Sequence, residues 1–220
     1  MLDWIGIARV GGVWLMKRIA LGFLLAAGLA APAFGQGAPA PASRVRGTVV
    51  SLSGSTLTVA GITGAPTVIT LAPGYRVSYY VKSSFDKIPA GSYIGAASEP
   101  LPDGTLKAIA VQIFPPGFKP GPGTRPWDLT PTSMMTNATV DTIAETKVDK
   151  ADGHVLSVSY EGGEKKILIT PATSIVGVAP ADASAIVPGA HVLVFVTKGA
   201  DGALTGTNVG VGKDGLTPPL

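Results

Sequence analysis

Along most of the chain, apolar side chains recur at every second position. Leu57/Val59, Ile69/Leu71, Val77 and Val111/Ile113 form one such set, and Leu156/Val158, Ile167/Ile169, Ile175 and Val209/Val211 form another. This alternation predicts half-buried β-strands, whose successive side chains point to opposite faces. No stretch after residue 35 keeps a long 3.6-residue period. The helical candidates are one-turn pieces, SSFDKI at 83–88 and PADASAI at 180–186. Gly54-Ser55, Asp103-Gly104, Asp152-Gly153 and Asp201-Gly202 read as tight turns, since Gly and Asp tolerate the positive φ that hairpins need.

The two sets are copies of each other. A shift of 98 residues lays Thr67–Ile113 on Lys165–Val211 without a gap, placing Ile69 on Ile167, Pro73 on Pro171, Ile88 on Ile186, Gly91 on Gly189 and Asp103-Gly104 on Asp201-Gly202. One residue of slip extends the match upstream, with Gly54, Leu57 and Val59 on Gly153, Leu156 and Val158. Repeats that match in turn and core residues predict two copies of one supersecondary unit. The organisation expected is repeat 1 at 44–114, a connector at 115–137, repeat 2 at 138–212 and a tail at 213–220. Within each repeat the order is three strands, one helical turn and two strands, the plan of a small five-stranded OB-like barrel. The fold class expected is therefore all-β: two tandem OB-like barrels with one-turn helices, joined by a Pro/Gly-rich connector.

The pattern carried by FDKIPAGSYIG…PDGTLKAIAVQI and ASAIVPGAHVLVF…ADGALTGTNVGV resembles an exported bacterial family of unknown function with tandem OB-like repeats. PWDLTPTSMMTNATV is similar to the junction of its tandem members. The resemblance implies a fold and a compartment, with no reaction. Members are sometimes labelled metal ABC transporter permeases; a permease requires several spanning helices, and this chain has one short apolar segment.

That segment follows Met16-Lys17-Arg18 and ends in small residues, the layout of a secretory signal at 16–35 with cleavage after Ala33 or Gly35. It is shorter than the ~20 residues of a spanning helix, so retention as an anchor is the second reading. Residues 1–15 read as a mis-called start. Without the first 35 residues the chain keeps 14 of its 17 basic and 13 of its 14 acidic side chains, a nearly neutral balance that gives no reason to expect nucleic acid as a partner. There is no cysteine, which excludes a disulfide framework and thiolate metal sites. The expected compartment is the periplasm, with no stable membrane span after signal removal.

Candidate chemistry is sparse. His154 and His191 lie in different repeats, whereas a zinc site wants three or four convergent ligands. Asp141, Glu145, Asp149 and Asp152 lack the spacing of a calcium loop. Ser84-Phe85-Asp86-Lys87 spells Ser-x-x-Lys without the companion motifs of serine acyl-enzymes, and repeat 2 replaces it with Asp182-Ala183-Ser184-Ala185. No phosphate-cradling loop, dinucleotide fingerprint or nucleophile elbow appears. The expectation is a protein that is not an enzyme, with no cofactor and no metal.

The repeats differ in charge and aromaticity. Arg44–Arg125 carries eight basic residues against Asp86, Glu99 and Asp103; Asp128–Leu220 carries six basic and ten acidic. Tyr75, Tyr79, Tyr80, Phe85 and Tyr93 match Thr173, Gly177, Val178, Ala183 and His191. If Val77 faces inward, Arg76, Tyr80 and Lys82 share the outer face, a cationic aromatic surface of the kind that holds sugars or nucleotides. The same residues also suit plain strand packing. The connector is too rich in Pro and Gly for a helix or central strand. Its Trp127, Leu129, Met134 and Met135 point to docking on a barrel, with a ligand site of Arg125, Trp127 and Asp128 as the second reading. Together these features predict a binding or scaffolding module of the periplasm acting through Arg76, Tyr80, Lys82, Arg125, Trp127 and Asp128. The partner expected is a small molecule, a glycan or an envelope protein. The alternative is an accessory role in metal or solute uptake.

Overall fold

The computed structural model describes residues 43–61, 65–148 and 151–220; the expected signal and the segment before it lie outside the described residues. The described chain is all-β, mostly strand with only three-residue helical turns. Repeat 1 supplies β1 (Ser43–Ser53), β2 (Thr56–Gly61), β3 (Thr67–Lys82), β4 (Tyr93–Pro100) and β5 (Leu106–Ile113). The connector holds a short β6 (Gly123–Pro126). Repeat 2 supplies β7 (Met134–Val148), β8 (Ala151–Tyr160), β9 (Gly163–Ile169), β10 (Ser174–Ala181), β11 (His191–Lys198) and β12 (Leu204–Gly212). The one-turn pieces are 3-10 turns at Phe85–Lys87 and Ala183–Ala185.

The alternating residues do line the interior, but the strands are partnered differently from a pair of consecutive barrels. β1, β2 and β3 close into a five-stranded barrel with β12 and β11, which come from repeat 2. A second circuit of pairings joins β7, β8 and β9 of repeat 2 to β5 and β4 of repeat 1. The expectation that each repeat folds on itself is thus corrected: the last two strands of each repeat sit with the first three of the other. Exchange of identical elements is a low-cost route to association when two copies are present, because each strand finds an edge like its own.

The crossing point is internally symmetric. The far half of β3 runs antiparallel to β10, with Val77 opposite Ala181, Tyr80 opposite Val178 and Lys82 opposite Val176. Tyr80 and Val178 are equivalents under the 98-residue shift, so a pseudo-two-fold axis passes between them. The parallel pairs Val77–Val209 and Ile175–Val111 are likewise images of each other.

Three apolar clusters result. The first barrel encloses Leu57, Val59, Ile69, Leu71, Val192, Val194, Val209 and Val211, with Tyr75, Val77 and Tyr79 packed against them. The second circuit encloses Ile94, Ala96, Val111, Val140, Leu156, Val158, Ile167 and Ile169. The third fills the seam with Tyr80, Trp127, Met135, Val176, Leu193 and Leu220, flanked by Leu129, Val178 and Phe195. Backbone approach there is tight: a Cβ on Gly210 would lie 2.3 Å from Tyr80 Cε2. Gly210→Ala is expected to destabilise the protein by about 1–3 kcal/mol through overpacking, measured by chemical denaturation; an unchanged midpoint would mean that the Tyr80 ring moves aside freely.

One turn is also corrected. Asp152-Gly153 is not a hairpin turn but lies inside β8, opposite Thr146–Lys147. The β7–β8 hairpin extends further than its counterpart β1–β2, its last described pair being Val148 and Ala151; residues 149–150 lie outside the described residues.

Candidate functional site

Of the six residues singled out in the sequence, Tyr80, Trp127 and Asp128 meet at the seam, and Arg125 lies next to it on β6. β6 pairs with β7, Arg125 opposite Met135 and Pro126 opposite Met134, and Trp127 and Asp128 then lie against the outer face of β1 and β11 in the first barrel. The loop before β6 is tied down from several directions. Tyr93 Oη and Asn137 Nδ2 donate to the Pro120 carbonyl at 3.2 and 2.9 Å, and Arg125 Nη1 donates to the Gly121 carbonyl at 2.8 Å. Trp127 is 9% exposed. Its ring lies 3.4 Å beneath the guanidinium carbon of Arg44 and is tilted against Phe195 at 6.4 Å between ring centroids. A cation over an indole face, shielded from water, is attracted by the ring quadrupole.

Asp128 completes this arrangement. It accepts two bonds from Arg46, Nη2 to Oδ1 at 2.6 Å and Nη1 to Oδ2 at 3.1 Å, and pairs with Arg44 Nη1 at 3.2 Å. Arg46 also donates from Nε to the Leu220 carbonyl at 2.6 Å, joining the tail to β1. Such fork-to-carboxylate contacts fix position as well as adding energy. Arg44 and Arg46 were not among the residues singled out; their partner is over 80 positions away, and no local pattern announces the pair.

Burial raises the Asp128 pKa, but the hydrogen bonds and positive charges of Arg46 and Arg44 outweigh it and hold the carboxyl below its ordinary 3.8. A depressed folded-state pKa adds stability that is fully present above the ordinary value and is lost as pH falls through the folded one. The stability advantage of the wild type over Asp128→Asn is therefore expected to shrink as acid denaturation is followed below about pH 4. A difference that stays constant into acid would mean that the carboxylate does not interact through its charge.

The outer-face expectation for β3 is half corrected. Tyr80 does point away from the first barrel's core, as strand parity requires, yet it is 4% exposed because the seam covers it. Burial pushes its hydroxyl up to about 12, opposed by the charge of Arg46. Arg76 and Lys82 are exposed. Six residues of strand separate them by roughly 20 Å, so they do not share a site.

Arg76 instead borders a cleft of about 260 Å³, lined by Pro73, Gly74, Tyr75, Arg76, Thr207 and Asn208. Two backbone irregularities shape it. Gly74 takes φ of +74°, which its missing Cβ permits, and β12 shifts register between Gly206 and Asn208. The shift sets Asn208 of repeat 2 beside Arg76 of repeat 1. No carboxylate lines the cleft, and Arg76 makes no ion pair with a described residue.

The remaining candidates take separate places. Lys87 pairs with Asp86 at 3.3 Å, and Ser84 Oγ also bonds Asp86, so the Ser-x-x-Lys spelling assembles no serine–lysine pair. His191 Nδ1 meets Thr48 Oγ1 at 3.2 Å on β11, whereas His154 stacks on Phe85 beside β8. The two histidines thus belong to different circuits. Asp141 accepts from Ser159 Oγ at 2.9 Å, and Asp149 is outside the described residues. Among the described residues no group of three or more His, Asp or Glu is placed to hold a metal ion, and no helix is long and apolar enough to cross a membrane. In comparisons with protein-family models, curated proteins and solved structures, nothing matches this chain.

Proposed function

We propose that the protein is a non-enzymatic binding module of the periplasm, exported by the signal at 16–35, in which two OB-like barrels with exchanged strands form one rigid body. In this reading the chain is a member of the exported family with tandem OB-like repeats, and Trp127, Asp128 and Tyr80 serve the seam rather than a ligand. Recognition falls to the Arg76 cleft. The observation that carries this reading is the meeting of an exposed guanidinium, the Asn208 amide and the Thr207 hydroxyl in a cleft with no carboxylate.

Donors without an opposing acid suit an oxyanion, a carboxylate or phosphate on a small molecule or glycan. The half-buried Tyr75 ring forms one wall and supplies an apolar surface for the rest of the ligand. Native mass spectrometry of protein drawn from the periplasm without refolding tests the reading. An adduct of stoichiometric mass is expected in the wild type and absent in Arg76→Ala, whose stability should stay within about 0.5 kcal/mol of wild type. A clean apo mass in the wild type, or an adduct that survives the substitution, would contradict it.

A further inference from the structure

We propose that the groove between the Phe85–Lys87 turn, β8 and the β9–β10 turn is a second binding site, for a neutral pyranose sugar. It lies on the second circuit and does not depend on the reading of the Arg76 cleft. The groove encloses about 280 Å³, with Ser83, Ser84, Phe85, His154, Thr170 and Thr173 among its walls. Its other lining residues are Ile169, Pro171 and Ile175, so no Asp, Glu, Lys or Arg faces it. A site without a fixed charge does not select an ionic ligand.

The internal repeat shows why the space is there. Thr173 stands where Tyr75 stands in repeat 1, and Tyr75 packs its ring against the first barrel's core. Thr173 is too short to do this. It turns back instead, accepting from the Thr170 amide at 3.0 Å and donating to the Ala108 carbonyl at 3.0 Å. The second circuit thus has the short Thr173 where the first barrel has the Tyr75 ring, and the Phe85 ring where the first barrel has Ala183.

The Phe85 wall is ordered. The rings of Phe85 and His154 are stacked with centroids 3.6 Å apart and planes within 8°. A fixed aromatic surface beside aliphatic and hydroxyl groups matches a pyranose, which presents C–H faces to rings and hydroxyls to polar neighbours. His154 Nδ1 is buried with no hydrogen-bond partner. An unpartnered ring nitrogen next to the groove is a place for a sugar hydroxyl, which the stacking alone would not require.

The test is a titration of the 15N-labelled protein, residues 36–220 after signal removal, with glucose and with N-acetylglucosamine, followed by amide shifts. Saturable shifts are expected at Ser83–Phe85, His154 and Thr170–Thr173. Thr173→Tyr restores the repeat 1 residue, fills the groove and should weaken binding about tenfold or more, with some loss of stability because the Thr173 bonds to Thr170 and Ala108 go with it. If that variant fails to fold, His154→Ala, which removes the stack without adding bulk, should give the same weakening. No saturable shift with either sugar, shifts elsewhere, or binding indifferent to both substitutions would overturn the assignment.

Discussion

Replacing Trp127 with alanine is expected to lower the free energy of unfolding by about 3–5 kcal/mol, the range for truncating a buried aromatic side chain. The size follows from what the indole holds together. It is a connector residue, yet it is buried among Met135, Leu193 and Leu220 at the seam and carries the Arg44 guanidinium on its face. Truncation opens a cavity and also strips the stack from Arg44, whose side chain is only 12% exposed and whose Nε has no partner. One contribution runs the other way: Trp127 Nε1 is itself buried without a partner, so its removal relieves an unsatisfied donor. Trp127→Phe should keep most of the packing and recover a large part of the loss. Urea denaturation at matched slope measures both, and a loss under about 0.5 kcal/mol for the alanine variant would mean that the connector rides free of the strands it covers.

Cutting the connector should leave the two repeats bound to each other. Lys119 and Arg125 are each followed by proline and so resist trypsin, but Phe118 is exposed in the loop between β5 and β6, within reach of chymotrypsin. In consecutive barrels one cut there would release two independent pieces. In this molecule β4 and β5 remain paired with β7 and β9, and β11 and β12 remain paired with β1 and β3. β10 adds further ladders to both β3 and β5. Release would require breaking all of these together and exposing both interiors, which is global unfolding. The nicked protein is expected to elute from gel filtration as one 1:1 species and to separate only in denaturant. Two fragments eluting apart without denaturant would contradict the exchange.

What the sequence revealed and what it concealed divide along one line. Leu57, Val59, Ile167 and Val209 could be assigned to the interior because alternation is local and burial follows it. Partner choice is not local. β4 and β11 are copies, so Ile94 and Ala96 alternate just as Val192 and Val194 do, and β1 finds the same pattern on either strand. The repeat that made the strands legible is what hid their exchange. Tyr80 illustrates a second limit. Strand parity placed it correctly outside the first core, but the residues that cover it, Trp127 and Leu220, arrive from the connector and the tail. Asp152-Gly153 shows a third. The dipeptide suits a turn, and the longer β7–β8 hairpin simply carries it into a strand. The Arg76 cleft combines these effects, since Asn208 reaches Arg76 only through the exchanged β12.

Strand exchange between the repeats is the claim on which the seam, the cleft and the response to cleavage all rest, and paired cysteines test it most directly. The chain has no cysteine of its own, so an introduced pair reports without interference. Thr48 and His191 are register partners on β1 and β11 with side chains in contact. In unexchanged barrels the position opposite Thr48 would be Tyr93, the repeat 1 equivalent of His191. Mild oxidation of Thr48→Cys/His191→Cys is predicted to give a complete intramolecular disulfide in the folded protein, and Thr48→Cys/Tyr93→Cys to give none. The opposite outcome, with cross-linking between 48 and 93 alone, would show that each repeat closes on its own strands.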